Sequence, residues 1–81
     1  MNTIVLTPTE YLTMELLSKG LSVTEIAAKT NRQRSSVARV LCYIKNKANT
    51  KDSYKLLAMF MRQNNRFQVS NQTRSFYVHN R

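Results

Sequence analysis

The chain has 81 residues, with thirteen Lys and Arg against four Asp and Glu, for a formal net charge of +9. That length supports one small domain with a single modest core. A lone cysteine, Cys42, rules out an internal disulfide, and a single glycine rules out a glycine-rich phosphate loop.

In chain order, the first element announces itself at Thr7-Pro8-Thr9-Glu10. A capping threonine, proline at the first helical position and a glutamate three residues after the cap predict a helix to about Lys19. Gly20 is suited to the left-handed turn that ends it. Ser22-Val23-Thr24-Glu25 repeats the capping box and predicts a short second helix through Lys29 or Thr30. Asn31 then tolerates a tight turn. A third helix is expected from about Arg34 to Ala48, with Val37, Leu41, Ile44 and Ala48 as one apolar stripe. Ser35, Arg39, Cys42 and Asn46 project from the opposite side, flanked by Ala38 and Tyr43, and no acid lies on that face. Asp52 is a cap for a fourth helix, Ser53 to about Arg62. It carries one stripe of Tyr54, Leu57, Ala58 and Met61 and another of Leu56 and Phe60, more apolar surface than one small core uses. The expected fold is all-α: a four-helix unit over residues 1–62 and a basic tail over residues 63–81. In the tail Phe67 and Val69 alternate with polar residues, as do Phe76 and Val78, so a short hairpin and a disordered tail both fit.

The charge is unevenly placed. Residues 1–25 hold Lys19 against Glu10, Glu15 and Glu25, a net of −2, while residues 26–81 hold twelve basic side chains against Asp52, a net of +11. Such a surface attracts a polyanion, and nucleic acid is the commonest; a solvated face kept for solubility has the same charge. The longest apolar run, Leu56 to Met61, is far short of the roughly 20 residues of a membrane span. Neither a signal peptide at the start nor a metal-ligand grouping around Cys42 or His79 is visible. No nucleophile–base pairing suggests catalysis. The expectation is a cytoplasmic protein, nucleoid-associated if the polyanion is DNA, that is not an enzyme and takes no cofactor, metal or small-molecule ligand.

Two short helices joined by a tight turn, the second basic on its outward face, suit double-stranded DNA: the first braces the second, and the second enters the major groove. Arg39 can reach a guanine edge with two hydrogen bonds. Ser35, Ser36, Arg32 and Arg34 suit phosphate oxygens at the helix entrance. Tyr43 can stack on a sugar or close the edge of the core, Cys42 can be a small filler, and Met14, Met59 and Met61 read as core or interface packing. Tail arginines Arg66, Arg74 and Arg81 can touch phosphate or serve solubility alone.

Residues 6–59 resemble the LuxR/FixJ-type helix-turn-helix of bacterial transcription regulators. The resemblance is carried by Leu6-Thr7-Pro8-x-Glu10, by Leu16-Leu17-x-x-Gly20-Leu21-Ser22-x-x-Glu25-Ile26-Ala27, by Ser36-Val37 and by Ile44-x-x-Lys47. A sigma-factor-like form of the unit is related. The resemblance implies a four-helix bundle whose third helix reads DNA and whose fourth forms a dimer contact. Base-reading positions then fall on Ala38, Arg39 and Cys42, with Ser36 near the backbone, and the dimer seam on Tyr54, Leu57, Ala58 and Met61. The chain departs from the family pattern at Asn31, where glycine is usual, at Gln33, where serine or threonine is usual, and at Val40, where histidine is usual. Ala38 and Cys42 occupy sites often filled by larger polar residues. Only Met1 to Val5 precede the unit, so control through abundance or a partner is the expectation. The function implied is a transcription regulator binding duplex DNA as a homodimer or as a heterodimer with a related regulator. Two rivals stand beside it: a module that antagonises a larger regulator through the fourth helix, and an RNA-binding protein stacking bases on Phe67, Phe76 and Tyr77.

Overall fold

The computed structural model describes residues 3–70. Strand β1 (Ile4–Leu6) leads into helices α1 (Pro8–Ser18), α2 (Val23–Thr30), α3 (Arg34–Lys47) and α4 (Ser53–Arg62). A 3₁₀ turn (Asn64–Arg66) and strand β2 (Phe67–Val69) close the unit.

Three of the four helices begin at a side-chain cap. Thr7 and Ser22 each accept a hydrogen bond from the backbone N–H three residues on, and Glu10 and Glu25 return the bond to the cap N–H, so both capping boxes close. Asp52 accepts from the N–H groups of Tyr54 and Lys55. The first three helices end alike. Gly20, Asn31 and Asn49 take positive φ angles of 95°, 58° and 59°. Behind each, two backbone N–H groups reach back to the last turn: Leu21 to Leu16 and Gly20 to Leu17, Arg32 to Ala27 and Asn31 to Ala28, Thr50 to Lys45 and Asn49 to Asn46. These paired bonds satisfy carbonyls that a helix end otherwise leaves open.

The expectation of an all-α fold needs correction. The domain is mainly helical, but β1 and β2 form a two-stranded parallel sheet, with Ile4 opposite Phe67, Val5 opposite Gln68 and Leu6 opposite Val69. The alternation around Phe67 does mark a strand, but its described partner is the chain's beginning. A parallel pair needs a long crossover, and here all four helices supply it. The other half of the expected hairpin, Phe76 and Val78, lies outside the described residues. The division at residue 62 also falls inside the packed unit, since Phe67 is buried in the core.

The core has two lobes. Ile4, Leu6, Met14, Ile44, Leu56, Phe60 and Phe67 form the larger. There Phe60 meets Tyr11 and Phe67 edge to face, at ring-centre distances of 5.5 and 5.2 Å. Leu16, Ile26, Ala27 and Val37 form the smaller lobe, between α1, α2 and α3. Leu17 packs against both. Helix α3 is thus gripped twice along one stripe, by Val37 near its start and Ile44 near its end.

A polar pin reinforces that grip. Lys47 Nζ lies 2.6 Å from Glu10 Oε1 and 3.1 Å from the Val5 carbonyl oxygen. The same Glu10 oxygen accepts from the Thr7 N–H at 2.9 Å. The buried Glu10 carboxylate therefore closes the start of α1 and holds the end of α3, while the Lys47 ammonium ties that end to β1 as well.

Candidate nucleic-acid interface

With its inner stripe committed to the core, α3 has no freedom in which side it shows to solvent. Arg34, Ser35, Ala38, Arg39, Cys42, Tyr43 and Asn46 are all exposed, and Ser36 is half-buried at the edge of this face. Tyr43, at 51% exposure, does not close the core. No described residue engages the side chain of Arg34 or Arg39 in a hydrogen bond or ion pair. The ridge carries no acid and is about 21 Å long at 1.5 Å per residue. The rigid backing beneath it comes from α2, through Ile26 and Ala27 against Val37.

Arg32 stands apart from the ridge. Its Nη2 donates to Thr9 Oγ1 on α1 at 3.2 Å, which draws the guanidinium towards α1 at the corner of the α2–α3 turn. The turn itself rests on Asn31, which adopts the left-handed conformation (φ 58°, ψ 45°) that the sequence assigns to it.

Two features of the site escape a reading by helical period. The start of α3 has no side-chain cap: Gln33 occupies the cap position and accepts with its backbone carbonyl, but its side chain takes no N–H. Open amides at a helix start, with Arg34 and Ser35 beside them, suit a phosphate oxygen. The departure at Gln33 is the sequence signal for this. The second feature is a groove of about 490 Å³ where Ser22, Val23 and Thr24 at the start of α2 face Arg34, Ser35 and Ala38. Ser22 and Thr24 thereby join the edge of the ridge, although Ser22 Oγ is already bonded to the Glu25 N–H.

On α4 the two stripes separate except at Leu57, which belongs to the outer stripe by spacing but packs inward. Leu56 and Phe60 are buried, Leu57 is half-buried against the core, and Tyr54, Ala58 and Met61 face outward, with Tyr54 85% and Met61 61% exposed. Phe67, a stacking residue in the RNA-binding rival, is only 3% exposed and cannot offer its ring to a base; Phe76 and Tyr77 lie outside the described residues. Cys42 is exposed and unpaired. Among the described residues no group of three or more His, Cys, Asp or Glu could hold a metal ion, and no helix is long and apolar enough to cross a membrane. In comparison with known proteins, no family model, curated protein or solved structure matches the chain.

Proposed function

We propose that the chain is a DNA-binding transcription regulator built as a LuxR/FixJ-type helix-turn-helix, acting in the bacterial cytoplasm on the nucleoid. One observation carries this reading: an acid-free face of α3, presenting Arg34, Ser35, Ala38, Arg39, Cys42, Tyr43 and Asn46, stands free on a helix whose other side is locked into the core. A bare helix fits a major groove about 12 Å wide. Arg39 takes a guanine edge; Ala38 and Cys42 are small enough to let the helix lie close and to meet thymine methyl groups. Ser35, Ser36 and the open amides at the start of α3 hold phosphate oxygens, with Arg34 beside them and Arg32 at the turn. Two copies joined through Tyr54, Leu57, Ala58 and Met61 would address a two-fold-related site.

A second reading is supported by the exposure of Tyr54 and Met61 together with the sparse hydrogen-bonding capacity of Ala38 and Cys42. In it the fourth helix captures a larger related regulator, and DNA contact is secondary.

Gel-shift titration separates the two. With about six phosphate contacts, duplex affinity falls roughly 10³-fold between 50 and 200 mM salt. Arg39→Ala removes a contact worth about 1–3 kcal/mol of base discrimination, so specific binding drops while nonspecific binding changes little. An Arg39→Ala variant that selects the same duplexes as the parent, alongside a Met61→Asp variant that keeps its fold but loses all activity, would hand the assignment to the second reading.

A further inference from the structure

At the far end of α3 lies a second basic surface, which the DNA reading does not use. A groove of about 450 Å³ runs between the α3–α4 turn and α4. Its floor is apolar, made by Ala48, Ala58 and Met59, and its rim carries Lys55 and Arg62. A second groove shares Ala48, Asn49 and Met59 and continues past Lys47 and Arg66 to the start of β1. The trough is not part of the α3 ridge. Ala48 lies two residues, hence about 200° of helical rotation, beyond Asn46, so the floor and the ridge face opposite sides of α3. With the outward stripe of α4 it shares Ala58 alone, for Lys55, Ala58, Met59 and Arg62 follow one another at helical spacing beside Tyr54 and Met61.

We infer that this trough is a docking site for an acidic peptide segment of another protein, with an apolar side chain seated on Met59 and flanking carboxylates on Lys55 and Arg62. Charge decides the class of occupant. A second copy of this chain brings only four acids against thirteen basic side chains, a net charge of +9 that repels it, and three of the four acids already hold local bonds. Glu10 is held by Lys47 and the Thr7 N–H, Glu25 by the Ser22 N–H, and Asp52 by the N–H groups that start α4. Glu15 alone is left to offer. Residues 71–81 of the chain contain no acid at all. The complement of Lys55 and Arg62 therefore comes from a different, negatively charged chain. The apolar floor favours a peptide over a sugar–phosphate backbone, which has no comparable group to bury against Met59. Spacing follows too. Lys55 and Arg62 are seven residues apart, about 10.5 Å along α4, which an extended peptide covers in about three residues at 3.3 Å each.

The test uses the full 81-residue chain and a fluorescein-labelled octapeptide in which two glutamates, three positions apart, flank a phenylalanine. Fluorescence anisotropy should show saturable binding that weakens about ten-fold in a Lys55→Glu/Arg62→Glu variant, and comparably when the peptide glutamates become glutamine. Ala58→Gln, an uncharged change at an exposed helical position, should block the floor and weaken the peptide without altering the circular dichroism. Arg39→Glu should leave peptide binding unchanged. Four results overturn the inference. They are no saturable binding, equal losses from Arg39→Glu and from the rim reversal, a dimer in solution that the rim reversal converts to monomer, and rim reversal that weakens single-stranded oligothymidylate more than it weakens the peptide. Duplex binding and its dependence on Arg39 are measured separately, so the trough and the DNA reading stand or fall apart.

Discussion

The pin between Glu10 and Lys47 offers the sharpest test of how α3 is held. Lys47→Met keeps the aliphatic stem but removes the ammonium from Glu10 and from the Val5 carbonyl. The Glu10 side chain is 8% exposed and that of Lys47 39% exposed, so the pair lies between two regimes. Fully exposed pairs are worth about 0.2–1 kcal/mol, and breaking a buried pair costs about 3–5 kcal/mol. Half-screened by solvent, the loss in Lys47→Met should be about 1.5–2.5 kcal/mol. Glu10→Gln retains an oxygen for the Thr7 N–H and loses only the charge, so it should cost about 1 kcal/mol. The double variant has no orphaned charge. It should therefore be more stable than the sum of the single changes predicts, by a coupling of about 1 kcal/mol, or 4–8 °C in Tm for a domain of this size. Urea and thermal denaturation of all four proteins in a double-mutant cycle provide the number. If the two single changes add to within about 0.3 kcal/mol, the groups do not interact and the account of how the end of α3 is anchored is wrong.

Further predictions concern backbone, core, surface and cap. A Cβ on Gly20 would meet no atom within 4 Å, so the cost of Gly20→Ala is conformational; it should be about 1–2 kcal/mol by denaturation. Phe67→Ala removes a ring buried against Phe60 and should cost about 3–5 kcal/mol, and a chain ending at residue 62 should lose cooperative unfolding. An unchanged melting curve for that truncation would place Phe67 outside the core. Met61→Asp changes a side chain that is 61% exposed, so it should leave stability within about 0.5 kcal/mol while lowering the mass seen in sedimentation, if α4 joins two copies. Gln33→Ser supplies the side-chain cap that α3 lacks and should stabilise the fold by about 0.5–1 kcal/mol. Because the new hydroxyl competes with phosphate for the same amides, duplex affinity should not rise with stability; a parallel rise would show that the amides take no part in binding.

Which parts of this architecture could be read from sequence follows from how far apart in the chain their causes lie. The capping boxes at Thr7 and Ser22 and the cap at Asp52 each close within three residues, and they mark helix starts correctly. Gly20 and Asn31 mark two left-handed ends by the same short-range logic. Asn49 makes a third such end with the same residue type. It passes unnoticed because Lys47 and Ala48 extend the helical period up to it, and nothing local separates a polar helix end from a polar helix continuation. The exposed ridge of α3 is legible because one stripe, Val37 to Ala48, leaves a single opposite face at 100° per residue. The β1–β2 pair is not. Three residues at Ile4–Leu6 are too few to display a period, and their partner lies beyond all four helices, at Phe67–Val69. Pattern alone therefore separates the chain at residue 62, although Ile4 and Leu6 of β1 and Phe67 of β2 fill one core.

That closure bears on function. With β1 and β2 paired beside α1, and α3 fastened to the same assembly by Ile44 and Lys47, the ridge cannot tilt without breaking the larger lobe of the core. The smaller lobe, holding α2 against the start of α3 through Ile26, Ala27 and Val37, contains no buried residue of β1, β2 or α4 and can shift without disturbing them. Any adjustment of Arg34, Ser35 and Arg39 towards a binding partner is therefore expected at the start of α3, where the cap is open, rather than at its pinned end. Amide hydrogen exchange along α3 measures this directly: protection should rise from Val37 to Ile44. Uniform protection, or a gradient in the opposite sense, would place the movable end elsewhere and remove the physical basis for reading the start of α3 as the end that adapts.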